Sequence, residues 1–386
     1  MTMIVSQVQT FIKAMLVLVV LFAGTRVASS SAFNISSRVS GDDAGESLTT
    51  EESSVDESTL INDIIESREL DAPTTRSLDN PPNTASDVFQ QVIPDHDICA
   101  EAWRIELEIV PQWLQTPLFA EQLHTEFAYT LLAGRLIEHG VVDASECFNN
   151  GLLFNGAADA CGLEKARPAQ IAWQNQFDEA ILIAARENRI PAFLLKRLFA
   201  KETQFWPGTT WLIWEFGIGQ ATSYGLDPLL QYYPSFYQSI CPAIFTEDTC
   251  KKSYAELSPE DQALMRGYMA TYFLSADCES CEAGIDISKV IASIDIFAKL
   301  LVANCHQVNQ IFLNLTEDPG GKSSGYEDLW RYTLANYNAG AGCVSDAIEE
   351  IVDDEGDVTW VNVANNLIDL GFECARSIDY VYEISR

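Results

Sequence analysis

The sequence predicts a mainly α-helical protein. From about Asp95 onward, apolar residues recur every three to four positions, the period of one helix face. Alternation of period two, which marks a half-buried strand, is almost absent. Proline also punctuates the pattern as it does between helices: Asn188-Arg-Ile-Pro191 ends one periodic run and begins the next.

The elements follow in chain order. Lys13 precedes the apolar run Ala14–Ala23, and small residues follow from Ala28 to Ala32. This is the pattern of a secretory signal, assigned to 1–32. The run is short for a membrane span, which needs about 20 apolar residues. An uncleaved N-terminal anchor is the alternative, and only then is contact with a membrane expected. Residues 33–94 are rich in Ser, Thr, Asp and Glu, as in Glu51-Glu-Ser-Ser-Val-Asp-Glu-Ser. Such a stretch buries too little apolar surface to offset its ordering entropy, so it is expected to be a disordered acidic spacer. Leu60–Ile65 is the one short helix expected within it.

Residues 95–180 read as a helical extension without a legible motif. Its apolar positions are Ile105, Leu107, Ile109 and Val110, then Leu118, Phe119 and Leu123, then Phe127, Leu131, Leu132, Leu136 and Ile137. Phe177, Ala180, Ile181, Ala184 and Ala185 form a further helical face. Pro191–Lys201 is the next helix, with Phe193, Leu194, Leu195 and Leu198 inward. Later helices are expected around 258–275, 287–313, 326–338, 343–351 and 360–370.

Charge narrows the partners. The 386 residues carry 23 Lys+Arg against 56 Asp+Glu, a formal net charge of −33. Nucleic-acid binding rests on clustered cations, and none cluster here. Anionic membrane surfaces are disfavoured for the same reason. Hydrophobic content of 47% is enough for a sizeable core.

Ten cysteines, at 99, 147, 161, 241, 250, 278, 281, 305, 343 and 374, suit an exported chain with up to five disulfides. Cys278-Glu-Ser-Cys281 also has the spacing of half a zinc site or a redox pair. No second CxxC accompanies it, so disulfides are the expected reading. Three cysteines lie in the extension. That odd number requires at least one bridge to the later part if all ten pair.

The candidate chemistry begins at Glu202, which ends the apolar helix Pro191–Lys201 in Glu202-Thr203-Gln204-Phe205-Trp206-Pro207. Desolvation there raises a carboxyl pKa toward the range of a general acid. Phe216-Gly217-Ile218-Gly219-Gln220 follows 14 to 18 residues later. Its glycines permit close backbone approach, and Gln220 offers a donor and an acceptor. Far downstream, Ala335-Asn336-Tyr337-Asn338-Ala339-Gly340 closes a helix with a glycine-rich turn. Trp206, Trp211 and Trp214 flank the acid and suit the apolar faces of sugars, or the packing of the core.

Taken together, Glu-Thr-x-Phe-x-Pro, Gly-x-x-Gln and Asn-Tyr-Asn-Ala-Gly resemble the soluble lytic transglycosylase domain of the lysozyme superfamily, over about 180–386. The resemblance implies a lysozyme-like domain at 181–386 that cleaves peptidoglycan or a related β-1,4 amino-sugar glycan outside the cytoplasm. It places Glu202 on the single catalytic acid and Tyr337 on the tyrosine that contacts it. Gln220 falls on the glutamine lining the glycan cleft. Gly217, Gly219, Asn338, Glu215, Trp206 and Trp211 complete the implied site, with no cofactor and no metal. Some positions depart from the family pattern. Trp211 stands for a serine, Glu215 for an alanine, Gly219 for a methionine and Asn336 for an alanine. Arg376 stands for the glutamate of the closing motif, here Arg376-Ser377-Ile378-Asp379-Tyr380-Val381. The stretch between Gln220 and Tyr337 is long, which implies an insertion over about 221–285 carrying four cysteines.

One acid serves two outcomes. After protonating the leaving oxygen, it can deprotonate the sugar's own C6 hydroxyl, giving an anhydro end. Alternatively it works with a second carboxylate that activates water, a role for which Glu215 is placed. A lysozyme- or chitosanase-type hydrolase is therefore one alternative. A catalytically inactive glycan-binding module is the other, since the neighbours of the acid depart from the family.

Overall fold

The computed structural model describes residues 110–208, 215–318, 320 and 324–386. The signal and spacer assigned to 1–94 lie outside them. So do Cys99, Ile105, Leu107, Ile109, Trp211 and Trp214.

The architecture is mainly α. Its helices are α1 (Thr130–Glu138), α2 (Ala160–Asn175), α3 (Asp178–Glu187) and α4 (Ala192–Thr203). A two-stranded antiparallel hairpin follows, β1 (Glu215–Phe216) with β2 (Ala221–Thr222), in register Glu215↔Thr222 and Phe216↔Ala221. Next come α5 (Asp227–Tyr232), α6 (Pro234–Ile240), the single turn α7 (Glu247–Cys250) and α8 (Pro259–Tyr268), which runs on as a π-helix over Met269–Leu274. The chain closes with α9 (Ile287–Thr316), α10 (Tyr326–Ala339), α11 (Ala341–Asp353), α12 (Trp360–Asp369) and α13 (Phe372–Ser385).

The helix α9 is the spine. Asp286 caps it, accepting from Ser288 N at 3.0 Å and Lys289 N at 3.3 Å. Over eight turns it buries Val290, Ile294, Phe297, Leu301, Val308 and Phe312. Around it pack α3, α5, α10, α11 and the π-helix. Burying each such side chain contributes about 1.5–3 kcal/mol, so this one helix organises much of the core.

The extension does not stand apart. Trp113, Leu114, Leu123, Leu132 and Leu136 enter the same core as α9. A smaller cluster of Ala133, Ile137, Ala144, Cys147, Ala158 and Ala166 lies between α1 and α2. The periodic pattern expected across 105–137 is interrupted. Pro111 and Pro117 cannot donate to a helix ladder. Residues 112–114 and 120–123 therefore form only 3-10 turns, and the first α-helix among the described residues begins at Thr130. Pro191 sits just outside α4 as its N-cap rather than within the first turn.

Four disulfides join Cys147–Cys161, Cys241–Cys250, Cys278–Cys281 and Cys343–Cys374. The CxxC thus closes on itself. Cys305 is also disulfide-bonded. The two bridges within 221–285 are local staples, whereas Cys343–Cys374 ties α11 to α13. Among the described residues no helix is long and apolar enough to cross a membrane.

Candidate active site

Three elements converge on the carboxyl of Glu202. The first is α4, which carries it at its last turn. The helix stops because Gln204 and Phe205 both adopt positive φ, 51° and 66°. Non-glycine residues avoid this region, so the turn needs support. Gln204 Oε1 accepts from Leu131 N at 2.9 Å and Leu132 N at 3.2 Å, capping α1. Phe205 O accepts from Trp173 Nε1 at 2.9 Å, and its ring is fully buried. The extension therefore holds the turn that aims the acid.

The second element is α13. Arg197 of α4 donates to Ile384 O at 3.0 Å, a cation at a helix C-terminus. Lys201 pairs with Glu383. With α13 so docked, the buried Tyr380 hydroxyl donates to Glu202 Oε1. Tyr380 lies in the closing motif but was not among the expected site residues.

The third element is the hairpin. Gly217 takes φ +74° in its turn. A Cβ on Gly219 would stand 2.5 Å from Phe297 Cδ1. The ring is buried on α9 and set edge-on to Phe199 of α4 at 5.8 Å, so it has no room to yield. Gly219→Ala should lose about 1–3 kcal/mol through this overlap, read as a lower unfolding temperature. An unchanged melting temperature would show that the ring can move aside.

The electrostatics single out Glu202. Burial pushes its pKa up to about 7, the Tyr380 hydrogen bond pulls it down, and the nearby Glu215 charge raises it again. Glu215, half-buried at the start of β1, is raised by burial and lowered by Arg376. Tyr337 and Tyr380 are held well above the ordinary tyrosine value, first by burial and then by the Glu202 charge. Both hydroxyls stay protonated and able to donate.

Several expected roles change. Tyr337 is near enough to feel Glu202, but its hydroxyl donates to Gly219 O at 2.6 Å. It anchors the hairpin, and Tyr380 makes the contact with the acid. Gly217 and Gly219 are buried against the Phe297 ring, so their close approach is to the core and not to a ligand. Trp206 is 7% exposed, stacked on Trp173 at 4.9 Å with His139 also at 4.9 Å. It packs the turn below Glu202 and offers no open face to a sugar. Gln220 is half-buried, with Nε2 donating to Gly208 O at 3.4 Å. Asn338 Oδ1 is buried with no hydrogen-bond partner among the described residues. Trp211 lies outside them.

Comparison of the chain with protein-family models, with curated proteins and with solved structures found no match.

Proposed function

We propose that the protein is a secreted lytic transglycosylase with a lysozyme-like catalytic domain. It cleaves the β-1,4 bond between N-acetylmuramic acid and N-acetylglucosamine in peptidoglycan and leaves 1,6-anhydro ends. The observation that supports this most is the state of Glu202: a carboxyl at a helix end, held near pKa 7 by burial, with a tyrosine hydroxyl on Oε1. Such a group is protonated for a substantial part of the time at neutral pH, as a general acid must be.

Glu202 donates its proton to the glycosidic oxygen while positive charge grows on the sugar ring. The resulting carboxylate is stabilised by Tyr380 and can take the proton of the C6 hydroxyl. Proximity of that hydroxyl to the anomeric carbon replaces a second catalytic group. Hydrolysis is the second reading, favoured by one observation: Glu215 is a second carboxyl within electrostatic reach of Glu202.

Mass spectrometry of products from purified cell wall tests the proposal. Anhydro ends are about 18 Da lighter than hydrolytic ones, the mass of the water not added. Anhydro products are expected. Reducing ends lost on Glu215→Ala would replace the reading with hydrolysis, and intact wall would remove both.

A further inference from the structure

The stretch after the hairpin holds a charged cluster that the chemistry above does not use. Arg266 of α8 is 8% exposed. Its Nη1 donates to Asp227 Oδ1 at 3.1 Å, to Asp227 Oδ2 at 3.3 Å and to the Tyr254 hydroxyl oxygen at 3.2 Å. The Tyr254 hydroxyl in turn donates to Asp227 Oδ1. Desolvation offsets much of the attraction in such a largely buried pair, so stability alone does not account for it. What the cluster does is fix the guanidinium, which lies over the Tyr224 ring at 4.5 Å from its centre. A cation at that distance holds an aromatic face in place. Tyr224 is nevertheless 74% exposed. One face of the ring is held and the rest is open to solvent. The backbone is set as well: Tyr224 opens the 3-10 turn Tyr224–Leu226, and Gly225 N donates to Thr222 Oγ1 at 2.9 Å.

Direct contacts tie this ring to the surroundings of the acid. Thr203, next to Glu202, donates through Oγ1 to Ile218 O in the hairpin turn at 2.9 Å. The Tyr337 hydroxyl holds Gly219 O. Tyr224 comes six residues after Ile218, a span of at most about 22 Å fully extended. The hairpin shortens it, since the Glu215↔Thr222 pairing turns the chain back. The ring therefore stands within a few sugar units of Glu202.

Charge limits the occupant. A net charge of −33 disfavours an anion, and Asp227 already neutralises the one cation at the ring. A second cation is opposed by Arg266 on the other face. A neutral group with a flat apolar side remains, which is what a sugar ring offers to an aromatic. We propose that Tyr224, mounted on Arg266, Asp227 and Tyr254, is a stacking platform for a sugar unit of the same glycan, away from the bond that is cleaved. This rests on reading the Glu202 site as one that cleaves a β-1,4 amino-sugar glycan.

Calorimetric titration of the full chain carrying Glu202→Gln tests it without turnover, with the dimer and the hexamer of β-1,4-linked N-acetylglucosamine as probes. The dimer fills the positions beside residue 202, and only the hexamer reaches the platform. Adding Tyr224→Ala should weaken the hexamer about 3–10-fold and leave the dimer unchanged. Tyr224→Phe, which keeps the ring, should bind the hexamer as the parent does, whereas Tyr224→Leu, which keeps bulk without a flat face, should lose as much as Tyr224→Ala. Unchanged hexamer affinity in Tyr224→Ala overturns the proposal. So does an equal loss for dimer and hexamer, which marks general damage, and so does a parent that binds neither the hexamer nor purified cell wall. Selective loss of the hexamer, in a protein whose wild type leaves cell wall intact, would uphold the platform and remove the transglycosylase reading. Unchanged hexamer affinity, in a protein whose wild type releases anhydro ends, would remove the platform alone.

Discussion

Glu202→Gln should lower cleavage of cell-wall glycan by about 10²–10⁴-fold, the usual worth of general acid assistance. The amide keeps the volume of the side chain and an oxygen to accept from Tyr380, so the fold should be retained. The effect on stability has a definite sign. Burial raises the folded-state pKa of Glu202 from the ordinary carboxyl value of 4.5 to about 7. Its contribution to stability is full below the unfolded value and is lost as pH rises through about 7. Above pH 7 the wild type holds a buried charge that the amide variant lacks. Glu202→Gln should therefore be at least as stable as the wild type at pH 8, measured by thermal unfolding. The wild type should lose activity as pH rises through about 7, because the proton required for the leaving group is gone. Full activity in a folded Glu202→Gln protein would end the assignment of Glu202 as the acid.

What was legible in the sequence follows from which residues fill the buried faces. The helices α3, α4, α9, α10, α11 and α12 bury aliphatic and aromatic residues at helical spacing, and their extents fall within a few positions of those the periodicity predicts. The helix α2 has the same spacing, but its buried positions are Gly162, Ala166, Gln170 and Gln174. Two small residues and two amides give no apolar period. The amides are buried because the segment before α1 needs partners. Gln174 Nε2 donates to Phe127 O at 3.2 Å, and its Oε1 accepts from Thr125 Oγ1 at 2.9 Å. The helix α13 was obscured in the opposite way, since Phe372 and Tyr382 lie on its exposed side.

The site shows the same division. Glu202 is announced by its place after an apolar helix, and the charge environment agrees with that local signal. Tyr380 is 178 residues away, and nothing local marks it as the partner of the acid. The docking of α13 makes it so, against α10, on α4 through Arg197 and Lys201, and on α11 through Cys343–Cys374. Trp206 shows the reverse error. An aromatic next to an acid suits a sugar face, but the Trp173 ring that covers it comes from a helix with no readable apolar stripe.

The largest effect on stability is expected at Lys196, two turns before Glu202 on α4. The residue is 2% exposed, and Asp178 is 6% exposed. Lys196 Nζ donates to Asp178 Oδ1 at 2.6 Å, Leu123 O at 2.7 Å and Asn175 Oδ1 at 2.8 Å. It also lies 5.8 Å from the centre of the Phe205 ring. Burial pushes Lys196 down and Asp178 up, and their mutual attraction opposes both shifts. The ammonium thus joins the 3-10 turn at 120–123, the end of α2 and the start of α3 to the helix that carries the acid. Lys196→Ala would leave a buried carboxylate unpaired and take the Lys196 donor from Leu123 O, while Asn175 Oδ1 keeps only Thr125 N, at a cost of about 3–5 kcal/mol. For a protein of this size that is a drop in melting temperature on the order of 10 °C. Removing both charges, as Lys196→Met with Asp178→Asn, should be less harmful than Lys196→Met alone, because the isolated charge is gone. Wild-type stability in Lys196→Ala would mean that water reaches Asp178 and that the pair does not fasten α4. If the pair does fasten it, the variant should also loosen the turn at Phe205, and the Glu202 pKa should fall toward the ordinary carboxyl range as solvent enters.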